Sequence, residues 1–459
     1  MVPMAEQPQD TIAAIATPPG EGGIAVVRVS GPAARDLITS LLHLDPSKLK
    51  PRSVRLAHVH GRGRVLDEVL AVWMPAPRSY TREDVLEFQC HGGHAAARMV
   101  LDATLAAGAR LAEPGEFTLR AFLNGRLDLV QAEAVADVIA ARTGAALAVH
   151  EELLAGRLSR VVTGWQQRLG NTLAFLEAHL DFADEDDVDT FAPAAPVEEL
   201  RALLGEMGER LDTFAWGRTS RDGFRVALVG APNTGKSSLL NAVLREDRAI
   251  VSAEPGTTRD AIDAWVNADG VPVHLTDTAG LRASGNAVEE EGVSRARAAA
   301  GRADLVVFVT DGSRPLHPEE CAEARSLAAG GRTLAVVNKV DLGRVPATTL
   351  AGLFGAPPLE VSARTGAGLL ELLHTWRERA WGGGGPGTAV PLTRERHQQA
   401  IAQAAGAVSR AIGILEGDGY LEVAASELHA ARRHLAELLG WGSPEDVLDA
   451  VFGAFCVGK

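Results

Sequence analysis

Gly230-Ala231-Pro232-Asn233-Thr234-Gly235-Lys236-Ser237 puts two glycines, a lysine and a hydroxyl residue at the spacing of a phosphate cradle. The glycines let backbone N–H groups close on phosphate oxygens. Lys236 can reach the β- and γ-phosphates, and the Ser237 hydroxyl can ligate magnesium. A chance glycine turn would lack the flanks seen here. The apolar run Phe224–Val229 reads as a buried parallel strand, and Ser238–Leu244 reads as a helix. The helix N-terminus adds partial positive charge where phosphates would sit. Asn233, Thr234, Gly235, Lys236, Ser237 and Ser238 are the first nucleotide-binding candidates.

Two later segments specify the base. Thr333–Val337 reads as a strand running into Asn338-Lys339-Val340-Asp341. A carboxylate at Asp341 can accept from the N1–H and 2-amino groups of guanine, whereas adenine would leave it unpaired. After Leu359-Glu360-Val361, the segment Ser362-Ala363-Arg364 offers a backbone N–H to the 6-oxo group. Either segment alone also suits a surface turn; together, after the phosphate loop, they point to guanine. Val273–Thr276 ends at Asp277-Thr278-Ala279-Gly280, where Asp277 can hold magnesium through water and the Gly280 N–H can contact the γ-phosphate. Between the phosphate loop and this strand lies Gly256-Thr257-Thr258-Arg259-Asp260, a polar loop in which Thr258 can close the magnesium shell, preceded by the further nucleotide-binding candidates Ser252, Ala253, Glu254 and Pro255. Such loops order on GTP and loosen after hydrolysis. Ras-type enzymes orient the attacking water with a glutamine after the Asp-x-x-Gly segment. Here that position is Leu281, so the hydrolytic group must come from elsewhere. The segment Asn286–Glu291 supplies carboxylates at Glu289, Glu290 and Glu291, against the alternative of a solvated acidic helix start, which suits Glu290 and Glu291 well.

These loops need a scaffold, and the chain is long enough to build several. Its 459 residues suffice for three domains, and 46% hydrophobic with 23% charged residues is the balance of a soluble globular protein. No run of 18 apolar residues and no basic-then-apolar N-terminal segment is present, and three scattered cysteines make neither a disulfide framework nor a zinc site. A reducing cytoplasm is the expected setting. The net charge of −14 disfavours nonspecific nucleic-acid binding, so RNA contact needs a local basic patch or a basic partner.

Residues 1–125 alternate strands (Ile24–Val29, Val69–Trp73) with a helix over 95–107, an α+β pattern. Over 126–219 the period becomes 3.6, with Val197, Leu200, Leu204, Met207, Leu211 and Phe214 on one face and Trp165, Leu169, Leu173, Leu176 and Leu180 on another. The nucleotide segment occupies 220–381 and should be an α/β Ras-like domain. After a glycine-rich linker, helical periodicity resumes over 388–459. An all-α domain interrupted by the nucleotide domain is the expected arrangement.

Three further stretches carry a resemblance: Tyr80–Gly93, Pro114–Leu129 and the ending Cys456-Val457-Gly458-Lys459. With the phosphate loop they make the chain similar, over nearly its whole length, to the MnmE (TrmE) family of bacterial tRNA wobble-uridine modification GTPases. The resemblance implies that residues 1–125 form a folate-binding-like domain that also makes a homodimer. That domain would take a 5-formyl- or 5,10-methylene-tetrahydrofolate one-carbon donor. Arg28, Glu87 and Arg126 match folate-contacting positions, the family often having lysine at the last, and Cys456 and Lys459 belong to a Cys-x-Gly-Lys tail beside the donor. The family's GTPase depends on potassium. Asn233 matches a side-chain ligand of that ion, and Ser252, Glu254 and Thr257 match the loop completing its shell. Glu289 aligns with a water-positioning glutamate. The family works with MnmG, a partner carrying FAD and NADH, in a heterotetramer that acts on tRNA. A ribosome-assembly GTPase of the Era type shares the Gly-Thr-Thr-Arg-Asp loop but leaves the N-terminal unit unexplained. A non-hydrolysing nucleotide switch is the third reading.

Overall fold

The computed structural model describes residues 10–181, 194–245, 263–277, 301–382, 389–417, 419–442 and 444–458. The chain forms two compact units, one of residues 1–136, 153–189 and 420–459, the other of 137–152 and 190–419.

The first unit is built on a six-stranded sheet in the order β3-β4-β5-β2-β1-β6. Its strands are β1 (Ile12–Ile15), β2 (Ile24–Ser30), β3 (Val54–Gly61), β4 (Arg64–Met74), β5 (Val85–His91) and β6 (Arg110–Leu111). All neighbours are antiparallel except β1 and β6. Side chains alternate across the sheet. Ala25, Val27 and Val29 of β2, with Leu86, Phe88 and Cys90 of β5, face a core closed by helices Asp36–Leu42 and His94–Ala106. Arg28 and Glu87 therefore fall on the opposite face, directly across from one another in the β2/β5 register. Burial pushes the Cys90 thiol up to about 11, which keeps it protonated and inert at neutral pH.

Helix Arg157–Asp181 packs on helix Leu421–Leu438 in this unit. The buried stripe Trp165, Leu169, Leu173 and Leu176 follows the 3.6-residue period read from the sequence. The C-terminal end is anchored. Phe452 and Phe455 pack with Phe122 and Leu129, Val457 bridges to Pro114, and the Cys456 carbonyl accepts from Gly115 N–H at 3.5 Å. Burying two phenylalanines contributes about 1.5–3 kcal/mol each, enough to hold the tail in place. Gly458, at φ 96°, lies so close to β1 that a Cβ would sit 2.5 Å from the Ile15 carbonyl oxygen.

The second unit holds another six-stranded sheet, ordered β12-β11-β10-β7-β9-β8. Its strands are β7 (Phe224–Val229), β8 (Asp263–Ala268), β9 (Val271–Asp277), β10 (Leu305–Asp311), β11 (Thr333–Asn338) and β12 (Leu359–Glu360). All are parallel except β8, which pairs antiparallel with β9. Successive β7 residues feed two cores: Val226 and Leu228 pack with Leu239, Leu372 and Trp376, while Ala227 and Val229 pack with Ala303 and Val306. A sheet covered on both faces explains why its strands read as continuous apolar runs. From β7 the chain goes to one side for β8 and β9, then to the other for β10. That reversal opens a crevice at the carboxyl ends of the strands, where ligands of open α/β sheets bind.

Helix Ala194–Leu211 packs on helix Glu395–Glu416 in this unit. Its buried face is Val197, Leu200, Leu203 and Met207. The expected stripe through Leu204, Leu211 and Phe214 is displaced, because Phe214 opens a separate helix, Phe214–Asp222, and those three are only half-buried. The link between helices Leu129–Ala140 and Gly144–Leu154 grips the β8–β9 hairpin. Thr143 Oγ1 donates to the Gly270 carbonyl at 2.7 Å, and the Arg142 guanidinium lies 4.1 Å from the Trp265 ring centre.

Candidate functional site

The crevice at the end of β7 is shaped by two glycines in left-handed backbone. A Cβ on Gly230 (φ 144°) would sit 2.2 Å from the Val309 carbonyl oxygen, and one on Gly235 (φ 91°) 2.4 Å from Asn338 Nδ2. Only glycine fits either position. Lys236 is buried at the start of helix Lys236–Arg245, and its Nζ donates to the Gly230 and Ala231 carbonyls, each at 2.7 Å. Its ammonium therefore stands inside the loop rather than reaching into solvent. Thr234 is buried and donates to the Ala231 carbonyl at 3.0 Å. Asn233 (φ 62°) is exposed on the outer rim, and Ser237 and Ser238 are exposed on the first helical turn.

Asn338 joins the base-reading segments to this loop. Its Nδ2 donates to the Thr234 carbonyl at 3.0 Å, while its Oδ1 accepts from Lys339 N–H at 2.8 Å and Ala363 N–H at 3.1 Å. One buried amide thus positions three segments at once. It also occupies the Ala363 N–H, one of the backbone donors of the Ser362-Ala363-Arg364 segment expected at the 6-oxo group, so a guanine contact there is shared with Asn338 or made by a neighbour. Lys339 Nζ donates to the Asn233 carbonyl at 2.6 Å and pairs with Asp311 Oδ2 at 2.7 Å. Burial opposes ionisation of Asp311, but the hydrogen bonds from Lys339 and Ser313 outweigh it and hold the carboxyl down at about 2. Asp341 Oδ1 accepts from buried Ser362 Oγ at 2.7 Å, which aims the carboxylate, and Arg364 lies 3.9 Å from its other oxygen. Asp277 ends β9 opposite Leu228, one residue before the end of β7. Ser252, Ala253, Glu254, Pro255, Gly256, Thr257, Thr258, Thr278, Ala279, Gly280, Leu281, Glu289 and Lys459 lie outside the described residues.

A second constellation occupies the face of the other sheet opposite its helices Asp36–Leu42 and His94–Ala106, where Ile12 and Ala14 pack with Phe117 and Tyr80. Arg28 Nε donates to Glu87 Oε1 at 2.8 Å, with both side chains less than a fifth exposed. Tyr80 lies over Arg28. The Arg28 guanidinium lies 5.4 Å from its ring centre, and Arg126 lies 4.7 Å from the same ring while donating to the Tyr80 carbonyl at 2.8 Å. Phe117 lines the other flank of Arg28 at 5.8 Å, and Tyr80 is fixed by a 2.8 Å hydrogen bond between its hydroxyl and Thr118 Oγ1. Ala14 is the β1 register partner of Arg28, and Gly458 packs on the next residues, Ile15 and Ala16. The tail thus lies against β1, the strand next to that of Arg28, and Cys456 is exposed in that tail. Two arginines, a carboxylate and two rings suit a flat, polar heterocycle bearing carboxylates.

Sequence reasoning missed three contributors. Asp311 ends an apolar run as Asp277 does, a signal that was available. Tyr80 and Phe117 sat inside quoted stretches, but nothing in their spacing shows that they meet Arg28. Among the described residues no group of three or more His, Cys, Asp or Glu side chains is arranged to hold a metal.

The family model for the N-terminus of the GTP-binding protein TrmE matches residues 11–126, and the family model for the MnmE helical domain matches residues 129–456. The chain belongs to the MnmE (TrmE) family. The tRNA modification GTPase MnmE of Chloroflexus aurantiacus is 44% identical over 98% of this chain and 100% of its own. The same-named protein of Geobacter sulfurreducens is 44% identical over 98% and 99%, and that of Heliobacterium modesticaldum 42% over 98% and 99%. The MnmE helical match runs straight through the β7–β12 block, as an inserted phosphate-loop domain requires. Membership also accounts for the N-terminal unit, which the Era-type alternative does not, and so displaces that alternative. No helix among the described residues is long and apolar enough to cross a membrane.

Proposed function

We propose that this MnmE-family chain is a potassium-activated GTPase that modifies tRNA wobble uridine together with an MnmG-like flavoprotein. The pair would install a carboxymethylaminomethyl or aminomethyl group at carbon 5 of the uracil, in the cytoplasm. The observation that carries this reading is the coexistence, in one chain, of the Asn338-tied guanine-nucleotide loop and the Arg28–Glu87 pair with the tail docked on the neighbouring strand β1. Residues 1–125 form the folate and dimerisation domain, 220–381 the GTPase domain, and the helices of 126–219 and 388–459 the interrupted helical domain.

The residues present fit the groups this chemistry needs. Ser237 offers an exposed hydroxyl for magnesium at the helix start, and Asn233 offers an exposed amide at the rim for potassium. Arg126 suits the carboxylates of a tetrahydrofolate, and Glu87, held by Arg28, suits pterin N–H groups. When bound, the cations offset phosphate charge and the folate provides the one-carbon unit; FAD and NADH belong to the partner. Lys236 neutralises phosphate charge from inside the loop, Asp341 selects guanine, and Glu289 orients the attacking water.

Cells lacking the chain should lose 5-substituted wobble uridines, as read by nucleoside mass spectrometry, and regain them on complementation; fully modified uridines would end this reading. Turnover should be faster in potassium than in sodium, whereas a pure switch hydrolyses in neither. Glu289→Ala should slow hydrolysis by roughly 10²–10⁴-fold with GTP affinity nearly unchanged, and wild-type turnover would remove Glu289 from its role. Arg28→Ala should weaken 5-formyl-tetrahydrofolate binding, by calorimetry, while GTP binding is retained. Unaltered folate affinity would take Arg28 out of the site.

A further inference from the structure

We propose that the corner where the chain enters β3 is an RNA-phosphate contact surface, a deepening of the tRNA reading that rests on it. Residues 46–66 carry six Lys or Arg (Lys48, Lys50, Arg52, Arg55, Arg62 and Arg64) and no Asp or Glu, in a chain whose net charge is −14. Local charge thus runs against the global balance, as a nucleic-acid footprint on an acidic protein must.

The fold gathers these cations. Arg55 donates to the Lys48 carbonyl at 3.0 Å, and Arg52 donates to the Arg78 carbonyl at 3.1 Å and the Pro75 carbonyl at 3.3 Å. Lys48, Lys50, Arg52, Arg55 and Arg78 therefore share one corner, all exposed. Their hydrogen bonds go to carbonyls rather than carboxylates, which preserves the positive charge. The acids at this corner are Asp84, whose Oδ1 accepts from Ala76 N–H at 2.8 Å, and Asp45, whose carboxyl is held below its ordinary value first by the Ser47 N–H hydrogen bond and then, more weakly, by Lys48 and Arg35; five cations outnumber the two. Arg62 and Arg64 sit at the far end of the same edge strand, on the β3–β4 turn. At ~3.3 Å per residue, the eight residues of β3 span roughly 25 Å. The result is a basic corner and a second basic point along one edge, enough to meet several phosphates of a folded RNA. Charged edge strands also deter edge-to-edge pairing. That role is served by either sign, and it does not require Arg78, which lies on a separate loop.

The test uses full-length protein and a transcribed tRNA, with affinity measured from 50 to 200 mM KCl. The triple variant Lys48→Ala, Lys50→Ala, Arg78→Ala alters only side chains that make no hydrogen bond or ion pair among the described residues. It should bind tRNA roughly tenfold or more weakly at physiological salt, and flatten the slope of log affinity against log salt by about 2, as expected for three lost phosphate contacts. Its GTP turnover should equal that of the parent. An unchanged affinity and slope would overturn the proposal, as would a parent that binds anionic vesicles but not tRNA. Loss of wobble modification in the deletion strain beside unchanged tRNA binding by the variant would leave the tRNA reading standing and the patch refuted.

Discussion

Asp341→Asn should lower GTP affinity by roughly 10²–10⁴-fold and raise affinity for xanthosine triphosphate. The carboxylate can accept from both guanine N1–H and the 2-amino group. Hydrogen bonds to a charged group contribute about 1.5–3 kcal/mol each, and losing two of them gives the stated range at about 1.4 kcal/mol per decade. An amide in its place presents a donor to the 2-amino group, which xanthine replaces with an oxygen acceptor. The substitution should leave the fold intact. Ser362 Oγ donates to Asp341 Oδ1, and an amide oxygen can accept that bond equally well. Calorimetry with both nucleotides decides the matter: full GTP affinity in the variant would place base recognition elsewhere.

The nucleotide loop was legible in the sequence because its determinants are local. Gly230 and Gly235 are needed where backbone meets backbone or a buried amide, and Lys236 and Ser237 follow at fixed offsets on the first turn of a helix. The strands of that domain were legible because a sheet covered on both faces needs unbroken apolar runs. Contacts between distant segments were not. That Asn338 binds the Thr234 carbonyl, and that Lys339 is paired by Asp311, depends on the strand order, which places β11 beside β10 and β10 beside β7. The Arg28 face came from resemblance alone. Its assembly requires the β2/β5 register and a tyrosine and a phenylalanine brought from other segments, none of which has a periodic signature. The displaced stripe of helix Ala194–Leu211 has a similar cause: periodicity cannot reveal where one helix stops and the next begins when no proline or glycine marks the break.

Lys236→Ala should cost more than any other single change in the loop. The ammonium is buried and held by the Gly230 and Ala231 carbonyls, so its position is set before nucleotide arrives and little entropy is lost on binding. Removing it takes away a fixed positive charge where the β- and γ-phosphates lie, in a crevice where charge interactions are stronger than in water. Loss of one pre-positioned donor to a transition-state oxygen typically slows a reaction by about 10²–10³-fold. Single-turnover hydrolysis at saturating GTP should fall by at least that much, and GTP affinity should fall as well. Lys236→Arg should rescue neither, because a planar fork cannot take the place of a compact ammonium between two carbonyls 2.7 Å from its nitrogen. The melting temperature provides the control. Gly230 and Ala231 are half-buried, so water can take the place of the ammonium at their carbonyls and the variant should remain folded. Hydrolysis at the parental rate in a folded Lys236→Ala protein would mean that phosphate charge is neutralised from outside the loop.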